Sequence, residues 1–251
     1  MVAIKFTNPP VVEVVLGIQL ENIGFSLIHF GLYWQTIQAR FPLQIEQPAM
    51  LLEEDEDPQN LQIPRALFMS SDNKKIIHLQ NNFFGFSLRH NNQYKYPHFE
   101  EIFAGFLEEW THFQEWYKEQ EIGGSLKPGR YELTYVDLLD EDVGWNSPAD
   151  NHQIFTFLNT SSGDFLGNPY SQSVRLTFDI PNEDEVLMVE IDHRVSEEKN
   201  SDFLIFRLTI ISFDTSQDVT AWFPLAHTYM VRSFLDLTKT EARKKWGQLD
   251  E

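Results

Sequence analysis

Val12, Val14, Leu16, Ile18 and Leu20 occupy every second position, the period of a strand with one buried face, and predict a strand over residues 11–20. Val11 and Val15 make the other face partly apolar, interrupted by Glu13, Gly17 and Gln19. The period then lengthens. Leu27, Phe30, Tyr33, Trp34, Ile37 and Phe41 recur at helical spacing behind Ser26, a residue type that caps helices. Residues 65–70, 74–80 and 83–90 read as three strands, divided by the turn letters Ser71, Asp72, Asn73 and Asn81, Asn82. Gaps this short predict hairpins. Phe99, Ile102, Phe103, Phe106, Leu107, Trp110, Phe113 and Tyr117 then draw an apolar stripe along a helix over residues 97–121, opposite Glu100, Glu101, Glu108, Glu109 and Glu115.

Gly123 and Gly124 stop that helix, and the order repeats. A strand is predicted over 130–139, a short helix over 149–158, and strands over 174–180, 185–195 and 202–213. A long helix follows from Asp218 to Leu237, with Trp222, Leu225, Ala226, Tyr229 and Met230 inward. Thr238 and Glu241 have capping-box spacing for a last short helix. Between the first helix and the hairpins, Glu53, Glu54, Asp55, Glu56 and Asp57 precede Pro58. Five adjacent like charges oppose packing, so residues 43–60 are expected to lack regular structure apart from a short turn, with the acidic run solvated.

The same order of elements twice predicts a duplicated β-α-β-β-β-α unit, since repeated order is the usual trace of duplication. The repeats span residues 1–126 and 127–251 and are expected to join in one body; laying Pro10–Leu16 on Gly129–Tyr135 matches Glu13 with Glu132. The fold class is α+β, with mainly antiparallel sheets and helices packed on one face.

Charge changes the picture most. Nineteen Lys and Arg against 38 Asp and Glu leave a formal charge of −19 in 251 residues. Such a field repels phosphate backbones and anionic membranes and attracts a basic protein partner; no nucleic-acid binding by the protein itself is expected. The chain has no Cys, which excludes disulfides, thiolate catalysis and cysteine metal sites. The opening residues lack a secretory pattern and no apolar run approaches the ~20 residues of a bilayer span, so a cytoplasmic address is expected.

Little in the motifs carries chemistry. The eight His residues include no pair four apart and no His-x-His, so no local zinc site is expected. Calcium at the acidic run is disfavoured by the missing EF-hand spacing. Nucleophile elbow, Walker loop and dinucleotide fingerprint are all missing from the sequence. No catalytic, cofactor or metal set is assigned. The candidates for a ligand or partner site are Glu13 and Glu132, carboxylates on strands with an apolar face; Tyr135, Asp137 and Trp145, an aromatic–carboxylate–indole set beside the acidic loop at Asp140; and His227 on the inner side of the long helix.

Pro9, Pro10 and Glu13, then Tyr96, Pro97 and Glu100, then Leu133 and Tyr135, Trp145, and finally His227, Phe234, Leu237, Thr238, Trp246 and Gly247 occur in an order that resembles a sporadically distributed bacterial family of about 250 residues with unknown function. That family follows its Leu-x-Tyr-x segment with Asn-His, where this chain has Asp137 and Leu138. The resemblance supplies no catalytic residue, and its patchy occurrence implies mobile defence or conflict genes. The leading functional expectation is a non-catalytic binding or regulatory protein that engages a basic partner. The alternatives are an enzyme with a dispersed carboxylate and His site between the halves, using Glu13, Asp137 or His227, and an RNA-processing protein on duplicated α+β units.

Overall fold

The computed structural model describes residues 6–21, 25–48, 64–90, 98–159, 165–167, 169–181, 183–196 and 201–249. The acidic run at 53–57 and the Tyr96–Pro97 segment lie outside them. In chain order the elements are β1 (Val11–Glu21), α1 (Leu27–Ile37), β2 (Leu43–Gln47), β3 (Arg65–Met69), β4 (Lys75–Gln80), β5 (Phe83–Arg89) and α2 (Phe99–Glu119). They continue with β6 (Lys127–Leu139), α3 (Asn151–Ile154), β7 (Ser173–Asp179), β8 (Glu185–Ser196), β9 (Ser201–Ser212), α4 (Val219–Leu237) and α5 (Thr240–Lys245).

The nine strands form one sheet in the order β2-β3-β4-β5-β1-β6-β9-β8-β7, and every pairing is antiparallel. Within residues 1–126 the order β3-β4-β5-β1 mirrors β7-β8-β9-β6 in residues 127–251, and the halves meet edge to edge at β1 and β6.

Short turns fix the register. The turn at Asn81 and Asn82 sets Gln80 opposite Phe83, which places His78 against Gly85 and Ile76 against Ser87. Alternate residues then separate into two faces. Val14, Leu16, Ile18 and Leu20 of β1 belong to the main core together with Phe84 and Phe86 of β5, Tyr131 and Leu133 of β6, and Phe206, Leu208 and Ile210 of β9. Aromatic rings of the helices fill the same core: Phe84 stacks on Phe113 of α2 at 4.8 Å, Tyr131 meets Trp222 of α4 at 5.3 Å, and Tyr33 of α1 meets Phe113 edge-on at 5.2 Å.

Helix ends follow local chemistry. Asp218 caps α4 through Oδ1, which accepts from the amides of Thr220 (2.8 Å) and Ala221 (3.1 Å). At α1 the Ser26 amide donates to His29 Nδ1 at 2.9 Å. Thr238 does not open α5; its hydroxyl donates back to the Phe234 carbonyl and the helix starts at Thr240. The helix expected over 149–158 is confined to a 3-10 turn at Pro148–Asp150 and one turn at Asn151–Ile154.

The expectation that residues 43–60 lack regular structure is corrected at their start. Leu43–Gln47 pairs with β3, Ile45 opposite Leu67. Leu43, Gln44, Ile45, Glu46 and Gln47 alternate apolar with polar, a strand period, and the acidic run begins only at Glu53, six residues further along the sequence.

Candidate functional site

The second face of the sheet gathers polar groups into rows. One row crosses six strands: Arg89, Glu13, Val136, Arg207, Glu190 and Arg175 stand directly opposite one another in turn. Ion pairs tie it together, from Arg89 Nε to Glu13 Oε2 at 3.2 Å and from Arg207 and Arg175 to the two oxygens of Glu190 at 2.9 and 2.6 Å. Two rows along the same face, past Ser87, Val15 and Thr134, His78, Gly85, Gly17 and Glu132 are opposed in turn. Glu132 accepts from Arg130 at 3.2 Å; burial raises its pKa, with the Arg130 guanidinium opposing. Burial likewise lowers the pKa of Arg65, whose charge Glu13 and Glu132 both favour.

Gly17 and Gly85 are cross-strand partners, and the Phe83 ring lies over both. A Cβ on Gly17 would stand 2.6 Å from Phe83 Cζ and 2.7 Å from Glu132 Cγ, and one on Gly85 2.7 Å from Phe83 Cε1. Close approach is what requires glycine here.

Next to this trough, a histidine, a serine and a carboxylate form a chain. The Ser87 hydroxyl donates to Glu13 Oε1 at 2.7 Å, and His78 Nε2 lies 2.9 Å from Ser87 Oγ. Burial, and then the Arg65 and Arg89 guanidiniums, push His78 down to about 3, so its ring is neutral. With the serine proton directed at Glu13, Nε2–H is the donor to Ser87. A nucleophilic triad needs the opposite polarity, an imidazole that accepts the serine proton. Ser87 is also wholly buried. The chain is a fixed hydrogen-bond relay that binds β4, β5 and β1 together.

Tyr135 and Asp137 stand on the core side of β6, and His227 reaches Tyr135 from α4. Tyr135 Oη is 3.0 Å from His227 Nδ1, and the His227 ring stacks on Phe99 of α2 with centroids 4.1 Å apart and 4° between planes. Burial pushes His227 down to about 4, against the pull of Glu100. The pair stands where the two halves meet, with Phe99 from one and Tyr135 and His227 from the other. Asp137, two residues on, is 3% exposed, and its Oδ2 has no hydrogen-bond partner among the described residues. Strand partners Val11 and Phe206 flank it, and burial pushes its pKa up to about 8, so the carboxyl is neutral at pH 7. Trp145 is not part of this cluster in any hydrogen bond: it is fully buried, donates from Nε1 to Asn151 Oδ1 at 2.9 Å, and meets the His193 ring edge-on.

Glu13 and Glu132 thus share one face and Tyr135 and His227 meet on the other side, an assembly that the sequence suggested only in pieces. His78, Ser87, Arg65 and Arg130 escaped notice. The hairpin register from the Asn81–Asn82 turn carries the one signal for His78 and Ser87, because it puts them on one face of adjacent strands.

Further acids lie on α2. On α2, Glu100, Glu101, Glu108, Glu115 and Glu119 are exposed, with Lys118 among them. Glu109 is the exception, buried and held by Arg40 through bonds of 3.1 and 2.8 Å. No group of three or more His, Asp or Glu able to hold a metal occurs among the described residues, and no helix there is long and apolar enough to cross a membrane. No family model matches the chain, and no curated protein matches it.

Proposed function

We propose that this protein is a non-catalytic binding or regulatory protein whose outward helical surface receives a basic protein partner. The exposed acids of α2 carry the reading: five carboxylates against one Lys on a 21-residue helix. Unpaired charge on an exposed helix face steers an oppositely charged partner, whereas Arg89, Arg130, Arg175 and Arg207 are already engaged by Glu13, Glu132 and Glu190. Cations so committed have little left for phosphates, which weighs against the RNA reading. The enzyme reading draws on Tyr135 and His227, half-buried at the seam. Against it, Asp137 is sealed in the core and His78 and His227 are poor bases at neutral pH.

On this reading the two halves are copies of one unit, with α1, α2 and α4 together on one side of the sheet, and the chain belongs to the sporadic bacterial family that its motifs resemble. Membership would place the partner within a mobile defence or conflict system. The test is affinity capture from the native cell, with wild-type protein and a Glu101→Gln/Glu108→Gln/Glu115→Gln variant as parallel baits. A protein with a basic surface that is retained by the first and lost by the second is expected. Identical partners on both baits, or nucleic acid as the main ligand, would overturn the assignment.

A further inference from the structure

The stretch from Phe25 to Pro48, which holds α1 and β2, contains two formal charges, Arg40 and Glu46, in a chain of −19. It also holds five of the twelve large exposed hydrophobic residues among those described: Leu27, Ile28, Leu32, Leu43 and Ile45. Within it β2 is an edge strand. Among the described residues β2 pairs only with β3, and its first four residues are exposed. An edge strand leaves backbone N–H and C=O groups free to pair with another chain. Proteins usually blunt such edges with Lys, Pro or a bulge, and β2 carries none of these between Leu43 and Gln47. The opposite edge, β7, carries two charges, Arg175 and Asp179, where β2 carries one, Glu46. Leu43 and Ile45 stand directly opposite Met69 and Leu67, which with Ile76 form a small buried apolar cluster. The exposed pair therefore extends an existing apolar strip to the rim of the sheet.

We propose that this edge joins a second copy of the chain, β2 to β2 antiparallel about a two-fold axis, so that two nine-stranded sheets become one. Charge selects a copy of itself here. Two molecules of −19 repel wherever acids face each other, and the stretch from Phe25 to Pro48 has a single carboxylate, Glu46. Register selects it too. In an antiparallel self-pairing the numbers of opposed residues have a constant, even sum. Centring on Ile45 opposes Ile45 to its own copy, Leu43 to Gln47 and Gln44 to Glu46, so all five residues pair. Moving the axis to Glu46 would set Glu46 against Glu46, and moving it to Gln44 would shorten the overlap. Like charges directly opposite are unfavourable and apolar pairs favourable. The Ile45-centred register satisfies both conditions.

Sedimentation velocity of the full chain over a range of concentrations up to about 100 µM tests this. A reversible dimer is expected, tighter in 0.5 M than in 0.05 M salt because screening removes the long-range repulsion. Ile45→Lys should give a monomer with unchanged far-UV circular dichroism. Gln44→Lys, which faces Glu46 twice across the axis, should tighten the dimer by about three- to tenfold, and Gln44→Glu should weaken it by a similar factor. Thr177→Lys on β7 should change nothing. A wild-type monomer at 100 µM in high salt overturns the proposal, as does a dimer that survives Ile45→Lys. Equal effects of Gln44→Lys and Gln44→Glu would overturn the register.

Discussion

Asp137 is the residue most at odds with its surroundings. Its folded-state pKa is raised from 3.8 to about 8 by burial. Between those values the unfolded chain has released a proton that the folded chain keeps, so stability falls as pH rises from about 4 to about 8 and is unaffected by this group below about 4. His227 acts in the opposite sense. Its pKa is lowered from 6.5 to about 4, so its contribution is lost as pH falls through that window. The two trends oppose each other between about 4 and 6.5, and only a variant separates them. Asp137→Asn should be more stable than wild type at pH 8, by a margin on the order of a few kcal/mol for a buried carboxyl of this kind. The margin should shrink to near zero at pH 4. Urea denaturation of both proteins across that range measures it, and a margin independent of pH would show that Asp137 titrates normally. For the relay residue, Ser87→Ala should cost about 1–3 kcal/mol, because it strands a buried His78 donor and removes a bond to Glu13; catalysis is not needed to explain a loss of that size.

At the scale of elements, β1 shows what a sequence can and cannot disclose. Its valines, leucines and isoleucine at period two predicted a strand with one core face, and Val14, Leu16, Ile18 and Leu20 are that face. Gly17 looked like a mere interruption. Its meaning depends on Gly85 of β5 and the ring of Phe83, residues more than sixty positions away that no local window contains. Gly17→Ala should therefore cost about 1–3 kcal/mol through forced displacement of a packed ring, whereas Gly31→Ala, with nothing within 4 Å of the added carbon, should be neutral or stabilising in a helix. Thermal unfolding of the two variants provides the contrast. At β2 the cause is different: its alternation at Leu43 and Ile45 is brief and is followed by the acidic run, whose charge argues against any regular element. Tyr135 and His227 were each legible as candidates, while their 3.0 Å contact depends on the tertiary placement of α4 on β6. Asp137 was legible as a candidate by type, but its burial was not, since Leu133, Tyr135 and Leu139 alone do not reveal what covers the strand end.

Across the whole molecule, charge is sorted by surface. Six of the nine arginines, Arg65, Arg89, Arg130, Arg175, Arg194 and Arg207, belong to strands, and Arg89, Arg130, Arg175 and Arg207 pair there with carboxylates. Among the described residues, Glu100, Glu101, Glu108, Glu115 and Glu119 of α2 form no ion pair within 4 Å. A charge-balanced sheet beside an acidic helical surface gives the molecule a directional field, and directional fields act mainly on association rates. Tight contacts formed after docking are screened far less than the approach to them. The most direct measurement of the central claim is thus kinetic: the partner obtained by capture is immobilised, and its association with the wild-type protein is followed at ionic strengths from 0.01 to 0.1 M. An association rate that falls by about tenfold or more over that range, with a nearly constant dissociation rate and a weakened salt dependence in the α2 triple variant, is the predicted result. An association rate flat with salt, or tight binding of a generic oligonucleotide in place of a protein, would contradict it.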